Sequence, residues 1–207
     1  MGIKERRLTE REQIRKKIFD AASDIIIAEG FEKLSIRKIA DRIEYSPGVI
    51  YNYFKDKNEI VKLIIEENVQ RICDSMLSLE LQKMKPKAAL ELGLTKFATV
   101  ILENRQQYKA IMLSGINLSL LREDNSETNG LRELLINVLS TGKDSGVFDI
   151  RNEEIAAMLL IAAIFGLINT IVQEKLEDEK MQAMLIESHV EILVRGVSKS
   201  AKRSPGY

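Results

Sequence analysis

The chain has 207 residues, and its formal net charge is zero because 31 Lys and Arg balance 31 Asp and Glu. Apolar residues make up 45% of it and charged residues 30%, which is typical of a globular protein and not of a disordered chain. A helical enzyme or metal-binding protein would need a nucleophile–base pair or a cluster of ligands. The single Cys and single His supply neither. We therefore predict no catalytic residues, no metal ion and no cofactor.

The distribution of apolar residues predicts a cytoplasmic protein that is not held in a membrane. Residues 1–17 contain no apolar run, so no secretory signal is visible. The longest apolar stretch runs from Ala156 to Val172, at the lower length limit for crossing a bilayer, and it carries Asn169 and Thr170 in its second half. We interpret it as a helix buried in a protein interface, with a membrane span as the alternative.

Positive charge is concentrated at the N-terminus. Residues 1–17 contain seven basic and three acidic side chains, which gives this segment a net charge of +4. Such a segment is either a solvated tail or an arm that contacts phosphate groups. The basic residues are Lys4, Arg6, Arg7, Arg11, Arg15, Lys16 and Lys17.

The first predicted helix begins at a capping box, in which Thr9 caps the helix and Glu12 bonds back to the Thr9 amide. Gly30 ends the helix as a left-handed residue, and Phe31 folds back onto its last turn. The apolar stripe between these ends follows helical spacing. Its members are Ile14, Ile18, Ala21, Ala22, Ile25 and Ala28.

Two short helices follow this longer one. Ser35 is the predicted N-cap of the second helix, and Ser46 caps the third, with Pro47 at its first position. Ile50 and Phe54 face inward from the third helix. The second helix buries the stripe Ile36, Ile39, Ala40 and Ile43. Two short helices after a longer one indicate a helix-turn-helix, whose recognition helix enters the major groove; a purely structural helical core is the alternative.

The residues from 35 to 60 are more specific than these stripes. They contain the run Ser-Ile-Arg-Lys-Ile-Ala-Asp-Arg-Ile at 35–43 and the run Ser-Pro-Gly-Val-Ile-Tyr-Asn-Tyr-Phe-Lys-Asp-Lys-Asn-Glu-Ile at 46–60. Together with Ala21-Ala22 and Gly30-Phe31, these motifs resemble the DNA-binding module of the TetR family of bacterial repressors over about residues 10–65. The sequence departs from the family at Glu44, where the turn usually carries Gly. A non-Gly residue there costs about 1 kcal/mol if the backbone is left-handed.

The resemblance implies a DNA-binding site on helices two to four. Arg37 would reach a base edge, with an ion pair to Asp41 as the alternative. Tyr51 and Tyr53 would bond to phosphates, unless they pack against helix one. Lys57 would contact a phosphate, unless it is an ordinary surface residue. The residues implied to read bases are Pro47, Gly48, Val49 and Asn52. The complete implied set is Ser35, Arg37, Pro47, Gly48, Val49, Tyr51, Asn52, Tyr53 and Lys57.

We predict an all-α fold of two domains. An N-terminal helix-turn-helix domain covers residues 1–56, and a C-terminal helical domain for effector binding and dimerisation covers residues 57–207. Helix four starts after a second capping box, formed by Asp56 and Glu59, and runs from Lys57 to near Leu79 without a flexible linker. The further predictions are helices five and six over about 86–121 with a bend near Asn104, a loop at 122–130, and helices at 131–145, 152–173 and 177–198.

The last two helices are predicted to form a homodimer interface. The first of them is apolar nearly all round, so a single small domain would leave part of it exposed. The resemblance implies that the pair builds a four-helix bundle across a two-fold axis, with His189 in or beside the interface. Small residues that allow close helix approach are Ala156, Ala157, Ala162, Ala163 and Gly166.

The resemblance also implies a small effector among helices four to seven, whose binding moves helix four. Few polar residues are expected inside, so we expect a largely apolar or amphipathic effector. Ordinary core packing is the alternative for every candidate. The candidates are Met76, Phe97, Ile101, Tyr108, Met112, Phe165 and Asn169.

The sequence therefore predicts a ligand-responsive transcriptional regulator, and the resemblance implies a repressor. It would bind a near-palindromic double-stranded DNA operator as a homodimer, with the recognition helices about 34–36 Å or a multiple apart, and an effector would release it. The alternative is a helical protein-interaction adaptor that does not bind DNA specifically.

Overall fold

The computed structural model describes residues 3–113 and 126–199. The regular elements in these ranges are helices, which confirms the all-α prediction. Two 3₁₀ helices, Phe31–Lys33 and Leu81–Lys83, lie between α-helices. The α-helices are α1 (Ile3–Glu29), α2 (Ile36–Arg42), α3 (Pro47–Tyr51), α4 (Lys57–Leu77), α5 (Pro86–Glu103), α6 (Arg105–Leu113), α7 (Ser126–Asp144), α8 (Glu153–Gln173) and α9 (Glu179–Val197).

Two predicted helix starts are wrong. α1 begins at Ile3, so Thr9 lies inside the helix and does not cap it. Charged residues with high helix propensity precede Thr9, and Arg6 pairs with Glu10 one turn along at 3.2 Å, which supports the longer helix. α7 begins at Ser126, where a loop was predicted, because polar residues are as suited to a first helical turn as to a loop. The helix predicted over 114–121 and the loop predicted over 122–125 lie outside the described residues.

Other helix ends follow capping groups that the sequence contains. Pro86 begins α5, and the predicted bend near Asn104 is the junction between α5 and α6. Asn152 caps α8 by accepting a hydrogen bond from the Ile155 amide at 2.9 Å. Asp178 caps α9 in the same way, so this helix starts two residues later than predicted. Gly30 has φ 89° and ψ 160° after α1, a positive φ as predicted but outside the left-handed helical region.

Contacts between Cα atoms divide the chain into two compact units. The N-terminal unit is Met1–Gln70 with Asn104–Leu121, and the second unit is Arg71–Glu103 with Arg122–Tyr207. This division differs from a boundary at residue 56, because α4 crosses from one unit to the other after Gln70 and α6 packs against α1. The predicted boundary after residue 56 separates the DNA-binding helices from the helices for effector binding and dimerisation, and it stays a prediction.

The N-terminal unit has one apolar core to which α1, α2, α3 and the first part of α4 contribute. Each helix buries one stripe, and burying an Ile or Phe side chain fully contributes about 1.5–3 kcal/mol. Ile26 is buried in α1, whereas Ala28, predicted in the stripe, is exposed. The largest fully buried side chains here are Ile18, Ile25, Ile26, Ile39, Ile50, Phe54, Ile60, Ile64 and Ile65.

In the second unit, α8 packs against α5, α7 and α9. By length and composition alone it is the one helix in the described ranges that is able to cross a membrane, with a mean hydropathy of 2.5. Its buried face packs within the unit. The residues of that face are Ala157, Leu160, Ile164, Ile168, Ile171 and Val172. The predicted role of this helix in an interface between protomers stays a prediction.

An ion pair joins the end of α7 to the start of α8. Lys143 Nζ donates to Glu153 Oε1 at 2.8 Å and to the Arg151 carbonyl at 3.3 Å. The hydrogen bond from Lys143 lowers the pKa of Glu153 below its ordinary value of 4.5. The carboxylate therefore stays ionised and paired at neutral pH. The contribution of this ion pair to stability is lost as the pH falls from 4.5 through the lowered pKa of Glu153.

The loop after α7 is tied to the end of α9. Phe148 forms an isolated antiparallel bridge with Ser198, and the Lys199 amide donates to the Val147 carbonyl at 3.0 Å. The buried Phe148 ring lies directly on Gly142 of α7. A Cβ added at Gly142 would lie 2.0 Å from Phe148 Cδ2, so only glycine leaves room for the ring.

Replacing Gly142 with Ala is expected to destabilise the protein by about 1–3 kcal/mol, because the Phe148 ring must move out of its packed position. The matched control is Gly130→Ala in the same helix, where an added Cβ meets nothing within 4 Å. That change should be neutral or stabilising, since Ala has the higher helix propensity. Urea unfolding followed by circular dichroism measures both, and equal midpoints for the two variants would contradict the packing described.

Candidate nucleic-acid interface

The turn between α2 and α3 contains a residue in the left-handed conformation. Glu44 has φ 60°, a region that costs a non-Gly residue roughly 1 kcal/mol. The Tyr45 amide donates to the Ala40 carbonyl at 3.0 Å and closes the turn. The departure from the family pattern at Glu44 therefore adds strain but leaves the turn in place.

Side-chain caps fix where these helices begin. The Lys38 amide donates to Ser35 Oγ at 3.2 Å, which confirms Ser35 as the N-cap of α2. Pro47 is the first residue of α3, as predicted. Ser46 precedes it, but within the described ranges its hydroxyl makes no capping hydrogen bond.

The start of α4 is held by two carboxylates. Asp56 Oδ1 accepts from the Asn58 and Glu59 amides at 2.8 and 3.0 Å, which confirms Asp56 as the cap. Glu59 Oε2 accepts from the Lys55 amide at 2.6 Å, one residue before the amide that a standard capping box uses. The chain between α3 and α4 is therefore fixed at several backbone positions.

α3 has one face in the core and the other in solvent. Ile50 and Phe54 point inward and are 0% and 1% exposed. Tyr51, on the outer face, is 58% exposed. Of the residues predicted to read bases, Val49 is half-buried, and the exposed ones are Pro47, Gly48 and Asn52. The described part of the chain therefore leaves this outer face exposed, and its small N-terminal residues allow close approach to base edges.

Arg37 lies exposed on the outer side of α2. The alternative pairing with Asp41 does not form, and Arg37 makes no ion pair among the described residues. Its neighbours are paired with α1: Lys38 with Glu29, and Arg42 with Asp24 at 3.5 Å. These two pairs hold α2 against α1, so Arg37 remains available to a ligand.

Tyr53 and Lys57 are less exposed than Tyr51. Tyr53 is half-buried against the core, and the Arg11 guanidinium lies 6.0 Å from the centre of its ring. The Lys57 ammonium lies 4.4 Å from the Phe31 ring centre, a cation–π contact within the protein. The packing alternative therefore describes the Tyr53 ring well, whereas Tyr51 is not packed in this way.

Sequence analysis named Arg11 and Arg15 as members of the basic N-terminal segment but did not predict their aromatic partners. They lie one turn apart on α1, with their guanidinium groups over the rings of Tyr53 and Phe54, the second at 5.5 Å. Their spacing of four residues was a visible signal, but contacts between helices are not readable from one sequence.

The predicted effector residues are placed in both units. Met76 and Ile101 are buried, Asn169 is half-buried, and Phe97 meets Phe165 edge to face with ring centres 5.5 Å apart. These five lie in the second unit.

The other two candidates lie on α6, in the N-terminal unit. Tyr108 is buried, and burial raises the pKa of its hydroxyl above the ordinary value of 10.0. Met112 is 42% exposed. The structure therefore brings Phe97 and Phe165 together but does not gather the whole predicted set within one unit.

A groove of about 460 Å³ lies between α1 and α4 in the N-terminal unit. None of the predicted effector residues line it. Its charged lining contains four acidic and two basic residues. The lining residues are Glu12, Arg15, Lys16, Phe19, Asp20, Leu63, Glu66 and Glu67.

α8 and α9 each expose apolar side chains on one face. His189 Nε2 lies 3.1 Å from the Ala163 carbonyl and links the two helices beside this face. Ala162 and Gly166 are exposed on α8 and leave room for a close helix approach. The large exposed apolar residues are Ile155, Met158 and Leu159 on α8 and Met181, Met184 and Ile192 on α9.

Two short helices, a left-handed turn between them and an exposed outer face on α3 are the features of a helix-turn-helix DNA-binding protein. Comparison with known proteins is consistent with this class. Residues 18–64 match the sequence profile of the bacterial regulatory proteins of the tetR family.

Relatives match far more of the chain than this module. A fatty acid metabolism regulator protein from Bacillus subtilis is 27% identical over 185 residues, or 87% of this chain and 94% of the relative. The crystal structure of the transcriptional regulator FadR from Bacillus subtilis in complex with stearoyl-CoA has a TM-score of 0.69 and 26% identity, covering 88% of this chain and 98% of that one. A tetR-family regulatory protein from Rhodococcus RHA1 has a TM-score of 0.70 with 90% and 98% coverage, and at 19% identity it supports the fold alone.

Residues 18–64 therefore form the DNA-binding module of the bacterial regulatory proteins of the tetR family, as the resemblance predicted. With this module, and with regulators as relatives over most of its length, the chain is a DNA-binding transcriptional regulator. The relatives described here are regulators, which favours this function over the adaptor alternative.

Proposed function

We propose that this protein is a homodimeric repressor of the bacterial cytoplasm that leaves its operator when a long-chain acyl-CoA binds. The observation that carries the proposal is the likeness, over 88% of the chain, to a regulator solved with stearoyl-CoA. The operator is a near-palindromic duplex, with one recognition helix of the dimer in each of two successive major grooves.

The DNA contacts are made by the outer faces of α2 and α3 and by the start of α4. Arg37, exposed and without an ion pair among the described residues, reads a base edge. The Tyr51 and Tyr53 hydroxyls and the Lys57 ammonium bind phosphates, while Ser35 fixes the start of α2. The residues that approach base edges are Pro47, Gly48, Val49 and Asn52.

The dimer forms through the exposed apolar faces of α8 and α9. Met158 and Leu159 are 63% and 60% exposed, and Met184 is 61% exposed. Adjacent large apolar side chains left in water are typical of a protein interface. A second copy of the same face buries them around a two-fold axis and sets the distance between the two α3 helices.

The acyl chain binds among apolar residues of the second unit. Phe97 and Phe165 form an edge-to-face pair, and both are half-buried, so a ligand is able to pack against rings that the core does not enclose. Asn169 supplies a polar group nearby in sequence. Ligand binding shifts the dimer to a state that fits the operator poorly, because the ligand has higher affinity for that state.

The DNA contacts are tested by Arg37→Ala, Tyr51→Phe and Lys57→Ala, using a duplex that the parent protein selects from a randomised pool. Arg37→Ala should cost about 1–3 kcal/mol and relax the preference at one base pair. The other two should weaken binding to all sequences by about 1 kcal/mol. Lys62→Ala is the charge-matched control, since Lys62 lies on α4 and pairs with Glu66 at 3.7 Å. If all three variants bind like the Lys62 control, these site assignments are wrong.

The dimer interface is tested by Leu159→Glu. A carboxylate in a closed apolar interface would be desolvated without a partner, so we expect monomers in sedimentation velocity at micromolar protein. Operator affinity should fall with it, because the two half-site contacts are no longer linked. Ile27→Glu is the control, since Ile27 is 50% exposed on α1 of the N-terminal unit. A dimeric Leu159→Glu variant would show that this face is not the interface.

The effector is tested by adding stearoyl-CoA, free CoA or stearate to the protein bound to labelled operator and following fluorescence anisotropy. Stearoyl-CoA should release the DNA, and Phe97→Ala should weaken its action roughly 10-fold or more, because about 1.5–3 kcal/mol of Phe burial is lost. Leu92→Ala, 39% exposed on the same helix, should respond like the parent. Full operator occupancy at saturating stearoyl-CoA would exclude this effector.

A further inference from the structure

We propose that α1 extends the DNA-contact surface through Arg11, which binds a backbone phosphate together with the Tyr53 hydroxyl. This inference rests on the proposed operator binding by α3. It adds to the contacts of α2, α3 and α4 a fourth helix and a cation that the helix-turn-helix itself does not contain.

The position of Arg11 follows from the length of α1. Because the helix begins at Ile3, Arg11 lies within regular helix and its side chain has a fixed direction. Its guanidinium carbon lies 6.0 Å from the Tyr53 ring centre, at the limit of a cation–π contact. Tyr53 follows α3 by two residues and is half-buried. The Arg11 cation thus lies over the Tyr53 ring, close to the end of the recognition helix.

Among the described residues, Arg11 makes a ring contact but no ion pair. Arg11 is exposed, and no carboxylate of the described residues lies within ion-pair distance of it. By contrast, Arg6 on the same helix pairs with Glu10 at 3.2 Å. The planar guanidinium stacks through its face and donates through its edge, so a ring contact leaves its N–H groups available to phosphate oxygens.

Arg15 provides an internal comparison. It lies one turn further along α1, and its guanidinium covers Phe54, a ring that is 1% exposed and has no hydroxyl. Arg15 lines the groove between α1 and α4, where acidic residues outnumber basic ones, so a phosphate there would be repelled. The acidic residues of this groove are Glu12, Asp20, Glu66 and Glu67. The residues around each side chain thus favour phosphate binding by Arg11 and packing over the Phe54 ring by Arg15.

The test measures operator affinity of the full-length protein over a series of potassium chloride concentrations, with the duplex that the parent selects from a randomised pool. Arg11→Gln should make the slope of log affinity against log salt shallower by about 0.9, the value for one lost phosphate contact on duplex DNA. Arg15→Gln should keep the parent slope, because Arg15 makes no contact with the DNA. Arg11→Lys should also keep it, because lysine carries the same charge. Thermal unfolding of each variant confirms that it is folded.

Tyr53→Phe tests the shared phosphate. It should weaken binding several-fold in the parent but much less in Arg11→Gln, because two groups that hold one phosphate are not independent. Equal effects of Tyr53→Phe in both backgrounds would overturn the shared contact.

Two further outcomes would overturn the role of Arg11. One is an Arg11→Gln slope equal to that of the parent. The other is an equal loss of slope in Arg11→Gln and Arg15→Gln, which would reflect total charge and not a contact. Either result would leave operator binding itself intact. If the parent binds without salt dependence or sequence preference, the proposed operator binding fails and the role of Arg11 fails with it.

Discussion

α3 contains five residues, too few to be stable as an isolated helix in water. It stays helical because Ile50 and Phe54 are buried against side chains of α1 and α4 in one apolar core. Each fully buried side chain of this size contributes about 1.5–3 kcal/mol, which outweighs the strain of the left-handed Glu44 before it. The direction of the outer face of α3 is therefore fixed by the same two residues that keep the helix folded.

α4 connects this core to the rest of the chain. Its first part contributes Ile60 and Ile64 to the core around α3. Its last part belongs to the second unit, where Met76 lies close to Gly93 of α5. The helix runs without a break from Lys57 to Leu77. α4 is thus one continuous helix whose residues are divided between the two units.

The N-terminal module was largely predictable because its signals are local. Caps such as Ser35 and Asp56 act within three residues, and the stripes that bury Ile50 and Phe54 follow from helical spacing. The prediction that Thr9 caps α1 was wrong, because the same pattern is compatible with a helix interior when charged residues of high helix propensity surround it. Contacts between elements, such as Arg11 with Tyr53, depend on packing that no local pattern encodes.

The effector candidates show the same limit. Apolar spacing correctly indicates that Met76 is buried, but it does not indicate which residues that side chain packs against. Among the other candidates, Ile101 is buried whereas Met112 is 42% exposed. The meeting of Phe97 and Phe165 depends on how α5 lies on α8, which is a property of the folded second unit.

The grouping of α6 with α1 has a consequence for protein engineering. A chimaera that joins only residues 1–70 to the ligand-binding domain of another protein would lack α6 and would expose to solvent the surface of α1 that α6 covers. Apolar side chains newly exposed in this way promote self-association. A portable DNA-binding cassette built from this protein must therefore bring α6 with it, although more than thirty residues separate α6 from Gln70 in the chain.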